Sequence, residues 1–287
     1  MRKKLKKIYL EISNVCNLKC AFCSPANRPA CFISREDFCT ILNKIEGKGE
    51  VLYLHVMGEP LLHPDIGTFI TLAADKGFTV HLTTNGSLLP DKEEELINSH
   101  GLKRMHVSLQ SLEQFPLEEQ KERLEKIIAS VQHLISHNKE LLVNLRLWTG
   151  DQEEFTARMG AYLEKIFGMD EGAVMKKLLP TKGIMLDPGI ALHLARTFDW
   201  PDLSLPSSGE KGFCMALRDQ AGILCDGTVI PCCLDRNGKI NLGNILSEMS
   251  WDEIMNSPRA KNLYEGFSQR KAGEELCRHC SYRKRFG

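Results

Sequence analysis

The chain has 287 residues, balances 37 Lys and Arg against 37 Asp and Glu, and is 43% hydrophobic. That length suffices for one large α/β core plus a smaller attachment, and the zero net charge argues against a general nucleic-acid surface. No apolar run reaches the about 20 residues of a membrane span, and the basic opening Met1-Arg-Lys-Lys-Leu-Lys-Lys7 lacks the apolar stretch of a signal peptide, so a cytoplasmic protein with a solvated basic start is expected.

Short β-like runs alternate with amphipathic helical patterns, with strands expected near residues 8–13, 51–57, 78–84, 103–110 and 142–148. Serial βα units of this kind build a parallel sheet. Each run alternates, with Ile8, Leu10 and Ile12 on one face of the first and Glu11 and Ser13 on the other. The same holds for Val107 and Leu109 against His106, Ser108 and Gln110, and for Leu145 and Leu147 against Asn144, Arg146 and Trp148. A strand covered on both sides is apolar on both faces, so a polar face points to an interior that holds a polar ligand, as in an open or partial barrel. Chemistry in such barrels sits at the carboxyl ends of the strands. The helical stripe Leu124, Ile127, Ile128, Val131, Leu134 and the stripe Phe155, Met159, Tyr162, Leu163, Ile166 read as packing surface. Further on, a sixth strand is expected near Ile184 to Asp187, Pro201 to Gly212 reads as a connector, and Asp226-Gly227 reads as the turn of a β-hairpin.

Eleven cysteines in a reducing compartment point to metal ligation more than to disulfides. Cys16, Cys20 and Cys23 follow the first strand directly. Three thiolates leave one iron of a [4Fe-4S] cluster without a protein ligand, whereas zinc ordinarily takes a fourth close Cys or His. Cys214, Cys232, Cys277 and Cys280 form a second set near the end of the chain. Four thiolates close a site completely, which suits a fully ligated cluster and also structural zinc. Cys225 and Cys233, beside the hairpin, are spare candidates for ligation that read rather as packed thiols, Cys39 reads as a core thiol, and Cys31 has no evident partner.

The C-x3-C-x2-C spacing, with Phe22 before the last Cys, resembles the radical S-adenosylmethionine (SAM) superfamily. Later motifs extend that resemblance over roughly residues 8–150. Met57-Gly58-Glu59-Pro60 is similar to the family's Gly-Gly-Glu-Pro loop, whose backbone holds the SAM amino group, with Met57 in place of the first glycine. Thr84 and Asn85 end the third strand, where the family places groups near the SAM ribose, although Asn85-Gly86 is also simply a turn. Ser108 and Arg146 stand where the SAM carboxylate or the substrate would meet them. The second cysteine set is similar to the SPASM and twitch extensions that carry auxiliary [4Fe-4S] clusters.

The resemblance implies an α/β fold, a partial (β/α)6 TIM-like barrel over residues 1–205 with a small SPASM/twitch-type iron-sulfur domain over residues 206–287. It implies SAM and two [4Fe-4S] clusters as cofactors, one SAM-binding and one auxiliary. The implied activity is reductive cleavage of SAM to a 5′-deoxyadenosyl radical that takes hydrogen from a substrate carbon, with the auxiliary cluster accepting the substrate electron. The substrate would be a small molecule or a peptide side chain, and the electron donor a flavodoxin or ferredoxin. A non-enzymatic iron-sulfur or zinc redox sensor explains the cysteines as well, but leaves the SAM-like loops without a role.

Overall fold

Apolar residues at every second position of a strand and at helical spacing between strands produce the expected alternation of elements. The computed structural model describes residues 4–24, 26–149, 153–181 and 183–286. The strands are β1 (Leu5–Leu10), β2 (Gly49–Tyr53), β3 (Thr79–Thr84), β4 (Leu102–Ser108), β5 (Leu142–Thr149), β6 (Gly183–Asp187), β7 (Ile190–Arg196), β8 (Gln220–Ile223) and β9 (Val229–Ile230). The helices are α1 (Arg35–Ile45), α2 (Ile66–Asp75), α3 (Leu89–Asn98), α4 (Leu117–His137), α5 (Glu153–Phe167), α6 (Ala173–Thr181), α7 (Trp251–Met255), α8 (Pro258–Ser268) and α9 (Glu275–Arg278). Among the described residues no helix is long and apolar enough to cross a membrane.

The chain divides into two units. The first comprises Met1–Cys16, Ser24–Val80 and Phe198–Gly287. Its centre is β1, flanked in parallel by β2 and β8, with β9 antiparallel to β8. The register sets Tyr9 beside Tyr53, and their rings stack at 4.8 Å. Helix α1 starts where the Ser34 side chain accepts the Asp37 amide at 3.0 Å, and it buries Phe38, Ile41, Leu42 and Ile45. Phe38 lies flat on Phe69 of α2, with ring centroids 3.9 Å apart. In the C-terminal part, Ser250 and Glu253 form a capping box at the start of α7.

The second unit comprises Asn17–Cys23 and His81–Thr197. Strand β5 lies between β4 and β7, all parallel, and β6 pairs antiparallel with β7. The stripe on α4 is buried as its spacing implies, through Leu124, Ile127, Ile128, Val131 and Leu134. On α5, Phe155, Met159 and Leu163 are buried, while Tyr162 and Ile166 are only half-buried.

Two expectations need correction. The strand near Ile184 to Asp187 exists, but it is an antiparallel edge; the parallel neighbour of β5 is the next strand, Ile190 to Arg196. Pro188-Gly189, with φ +80° at Gly189, turns the chain back between them, so the edge strand comes first in sequence. The basic start is not wholly a tail either. Met1 to Lys3 lie outside the described residues, but Lys6 and Lys7 belong to β1, and Lys6 pairs with Asp219 at 3.4 Å.

Candidate functional site

In the first unit the chain leaving β2 passes through Met57-Gly58-Glu59-Pro60. Gly58 has φ +76°, and a Cβ there would stand 2.5 Å from the Ser13 carbonyl oxygen and 2.8 Å from that of Val15. Only glycine fits this approach of one backbone to another. The Glu59 amide donates to the Val15 carbonyl at 2.8 Å, and the buried Glu59 carboxylate accepts the Leu61 amide at 3.0 Å, capping the next turn. Met57 has an ordinary backbone conformation, so its side chain is accommodated where the family pattern has glycine. Its amide donates to Glu11 at 3.2 Å. The loop is therefore fastened by its backbone to the segment that leads into Cys16.

Cys16 is exposed, and Cys20 and Cys23 are half-buried. In the second unit the Cys23 amide closes a turn on the Cys20 carbonyl at 3.0 Å. Gln114 reaches this turn from the segment after β4, its Nε2 donating to Cys20 Sγ at 3.2 Å while its Oε1 accepts the Lys19 amide at 3.3 Å. Phe22 meets the Trp148 ring edge-on, with centroids 4.4 Å apart.

Thr84 Oγ1 accepts the Gly86 amide at 2.9 Å, and Asn85 Oδ1 accepts the Ser87 amide at 2.9 Å. Asn85 Nδ2 also donates to Asn17 Oδ1 at 3.0 Å, tying the turn after β3 to the loop that carries Cys20. Ser108 and Arg146 are register partners across β4 and β5, and Arg146 Nη2 donates to Ser108 Oγ at 3.1 Å. The same polar face carries His106 beside Asn144, 3.4 Å apart, and the His81 ring 6.2 Å from that of His106.

Cys214, Cys232, Cys277 and Cys280 line one pocket of the first unit together with Arg283. Among the described residues no three His, Cys, Asp or Glu side chains converge on a single ion. Burial pushes all four thiols above the usual range, and each of Cys214, Cys232 and Cys277 is raised further by another of the four. Such thiols stay protonated until a cation stabilises them as thiolates, so the donor set fits a bound iron-sulfur cluster.

Three of the remaining cysteines differ from their sequence reading. Cys31 does have a partner: it is bridged to Cys225, with Cα atoms 6.2 Å apart and 194 residues between them, a separation no local pattern reveals. Cys225 is accordingly not a packed free thiol. Cys39 is half-buried on α1, beside the core residue Phe38. Cys233 keeps a free thiol, hydrogen-bonded by the Tyr9 hydroxyl. The sequence also gave no sign of Gln114 against Cys20, of Glu11 as a hub, or of the burial of Arg283.

Residues 10–156 match the family model of the radical SAM superfamily, and residues 214–281 match the SPASM iron-sulfur cluster-binding domain. Over 116 residues the chain is 35% identical to the GTP 3′,8-cyclase of Microcystis aeruginosa, covering 37% of this chain and 35% of that protein. Over 102 residues it is 29% identical to the AdoMet-dependent heme synthase of Methanosarcina barkeri, covering 34% and 29%. The chain thus spans about a third of the length of these curated relatives. Among solved structures it is similar to BtrN in complex with AdoMet and 2-DOIA, with a TM-score of 0.58 at 17% identity over 98% of this chain and 94% of that one. Streptococcus suis SuiB bound to the precursor peptide SuiA gives 0.61 at 17% identity, over 96% and 71%. The complex of anSMEcpe with AdoMet and the Cp18Cys peptide gives 0.60 at 15% identity, over 99% and 90%. At these identities the likeness shows the fold, a partial (β/α)6 barrel core with a small C-terminal iron-sulfur domain.

Proposed function

Because the chain belongs to the radical SAM superfamily, in its SPASM-containing subgroup, we propose that it is an oxidoreductase that removes hydrogen from a carbon of a small molecule or a peptide side chain. The two domains imply SAM and two [4Fe-4S] clusters per chain as cofactors. When bound, the reduced SAM-binding cluster and SAM supply a 5′-deoxyadenosyl radical, and the protein's part is binding, orientation and electrostatics.

The observation that carries this reading is the backbone-fastened loop at Gly58, whose fit leaves no room for a side chain. Met57, Gly58 and Glu59 would present backbone groups to the SAM amino group, and Phe22 would pack beside the first cluster. Cys16, Cys20 and Cys23 would hold that cluster, leaving one iron for SAM. Arg146, which donates to Ser108 Oγ, would pair the SAM carboxylate, while Thr84 and Asn85 would shape the wall at the ribose. Cys214, Cys232, Cys277 and Cys280 would hold the auxiliary cluster, which would accept the substrate electron. We take residues 1–205 as the core and 206–287 as the auxiliary domain. Two of the three solved neighbours hold a peptide and one a small molecule, so both substrate classes stand. A flavodoxin or ferredoxin would deliver the electron.

Anaerobic reconstitution should load about eight irons per chain if both clusters are [4Fe-4S]. Dithionite should then drive formation of 5′-deoxyadenosine from SAM, and Cys20→Ala should abolish it. A fully loaded wild type that makes none would refute the enzyme reading. Deuterium transfer from labelled candidate substrates into 5′-deoxyadenosine would identify the substrate class.

A further inference from the structure

Arg283 is only 4% exposed, yet no described ion pair includes it. Its Nε donates to the Cys277 carbonyl at 2.9 Å and its Nη2 to the Ser208 carbonyl at 2.9 Å. Nη1 donates to the Lys211 carbonyl, and Nη2 also donates to that of Gly209. These four acceptors are neutral and lie on two segments: the turn that carries Cys277 and Cys280, and the approach to Cys214. A Cβ on Gly212 would run into Nη1, so the glycine two residues before Cys214 is part of the same fitting.

A buried cation bonded only to carbonyls has its hydrogen bonds met but not its charge. The nearby acids are committed elsewhere. Glu274 is held by Arg259 at 2.7 Å, and Asp235 accepts the amides of Lys239 and Ile240, both at 2.8 Å. What faces Arg283 instead is the pocket of four thiols that it helps to line. A [4Fe-4S] core held by four thiolates has a net negative charge that grows by one on reduction. Net charge and hydrogen bonding around a cluster set its potential.

We propose that Arg283 is the fixed counter-charge of the auxiliary cluster: a positioning residue that clamps the two cysteine-bearing segments together and raises the cluster's reduction potential, favouring uptake of the substrate electron. This rests on the reading that Cys214, Cys232, Cys277 and Cys280 hold that cluster.

The test uses the full chain with Cys16, Cys20 and Cys23 all changed to Ala, so that only the auxiliary site can hold iron. Iron content and an EPR-monitored redox titration are measured with Arg283, Arg283→Lys and Arg283→Gln. The parent should load about four irons. Arg283→Gln should titrate at a more negative potential, and Arg283→Lys should remain closer to the parent. If Arg283→Gln fails to load while Arg283→Lys loads, the requirement for charge is upheld. Equal potentials in Arg283→Gln and the parent, or equal defects in Gln and Lys variants, would overturn the proposal. A parent without iron would instead overturn the four-cysteine reading beneath it.

Discussion

Arg28 clasps Glu11: its Nη2 lies 2.7 Å from each carboxylate oxygen, and the carboxylate is fully buried. The same carboxylate accepts the amides of Met57 at 3.2 Å and Cys225 at 3.1 Å. One side chain thus joins the end of β1, the segment after Cys23, the Gly58 loop and the disulfide-bearing hairpin. Burial pushes the Glu11 carboxyl up, and the Arg28 guanidinium opposes that.

Arg28→Met should therefore strand a buried carboxylate and cost about 3 to 5 kcal/mol of stability. Urea unfolding of the apoprotein measures this. Adding Glu11→Gln should recover part of the loss, because the amide carries no charge and its oxygen still accepts a backbone amide. A double variant no more stable than Arg28→Met would show that the clasp acts through packing and not through charge.

At Gly58 the constraint is steric. Gly58→Ala must move a Cβ away from the Ser13 and Val15 carbonyls or abandon the positive φ. Formation of 5′-deoxyadenosine should fall roughly tenfold or more, since misplacement of a bound reactant is costly to rate. Iron content should be unchanged. Unaltered cleavage in this variant would mean that the loop does not position SAM.

The parts of this molecule that the sequence displays are those written at short range. Alternation in Ile8, Leu10 and Ile12 announced a strand with one apolar face, and the spacing of Cys16, Cys20 and Cys23 announced ligands, because both signals need only neighbouring residues. The parallel strand Ile190–Arg196 was hidden because Pro188-Gly189 inserts an antiparallel edge strand ahead of it. Cys31 and Cys225, or Gln114 and Cys20, meet only after the chain has folded. Arg283 sits in Tyr282-Arg-Lys-Arg285, where nothing local sets it apart from Lys284 and Arg285, and only tertiary packing buries one of the three cations.

Gln114 provides a test at the first cluster. Its Nε2 donates to Cys20 Sγ, and a hydrogen bond to a ligating sulfur stabilises the more negative, reduced state. Gln114→Leu should shift the SAM-binding cluster to a more negative potential and slow reductive cleavage by dithionite, while leaving the auxiliary cluster unchanged. EPR-monitored titration of the holoenzyme separates the two signals. A shift confined to the auxiliary cluster would contradict the assignment of Cys20.

The four thiols of the second site give a prediction in protons. Burial raises each of them, so the folded apoprotein holds them neutral where ordinary thiols have begun to ionise. Each must lose its proton to become a metal ligand. In the chain lacking the first three cysteines, Zn²⁺ used as a probe should release about four protons per site, measured with a pH indicator in weak buffer. The number should hold steady from about pH 6 to pH 8, because the raised thiols stay protonated across that range. A count that falls toward pH 8 would mean that some of these cysteines are already thiolates, and that charges beyond Arg283 stabilise the empty site.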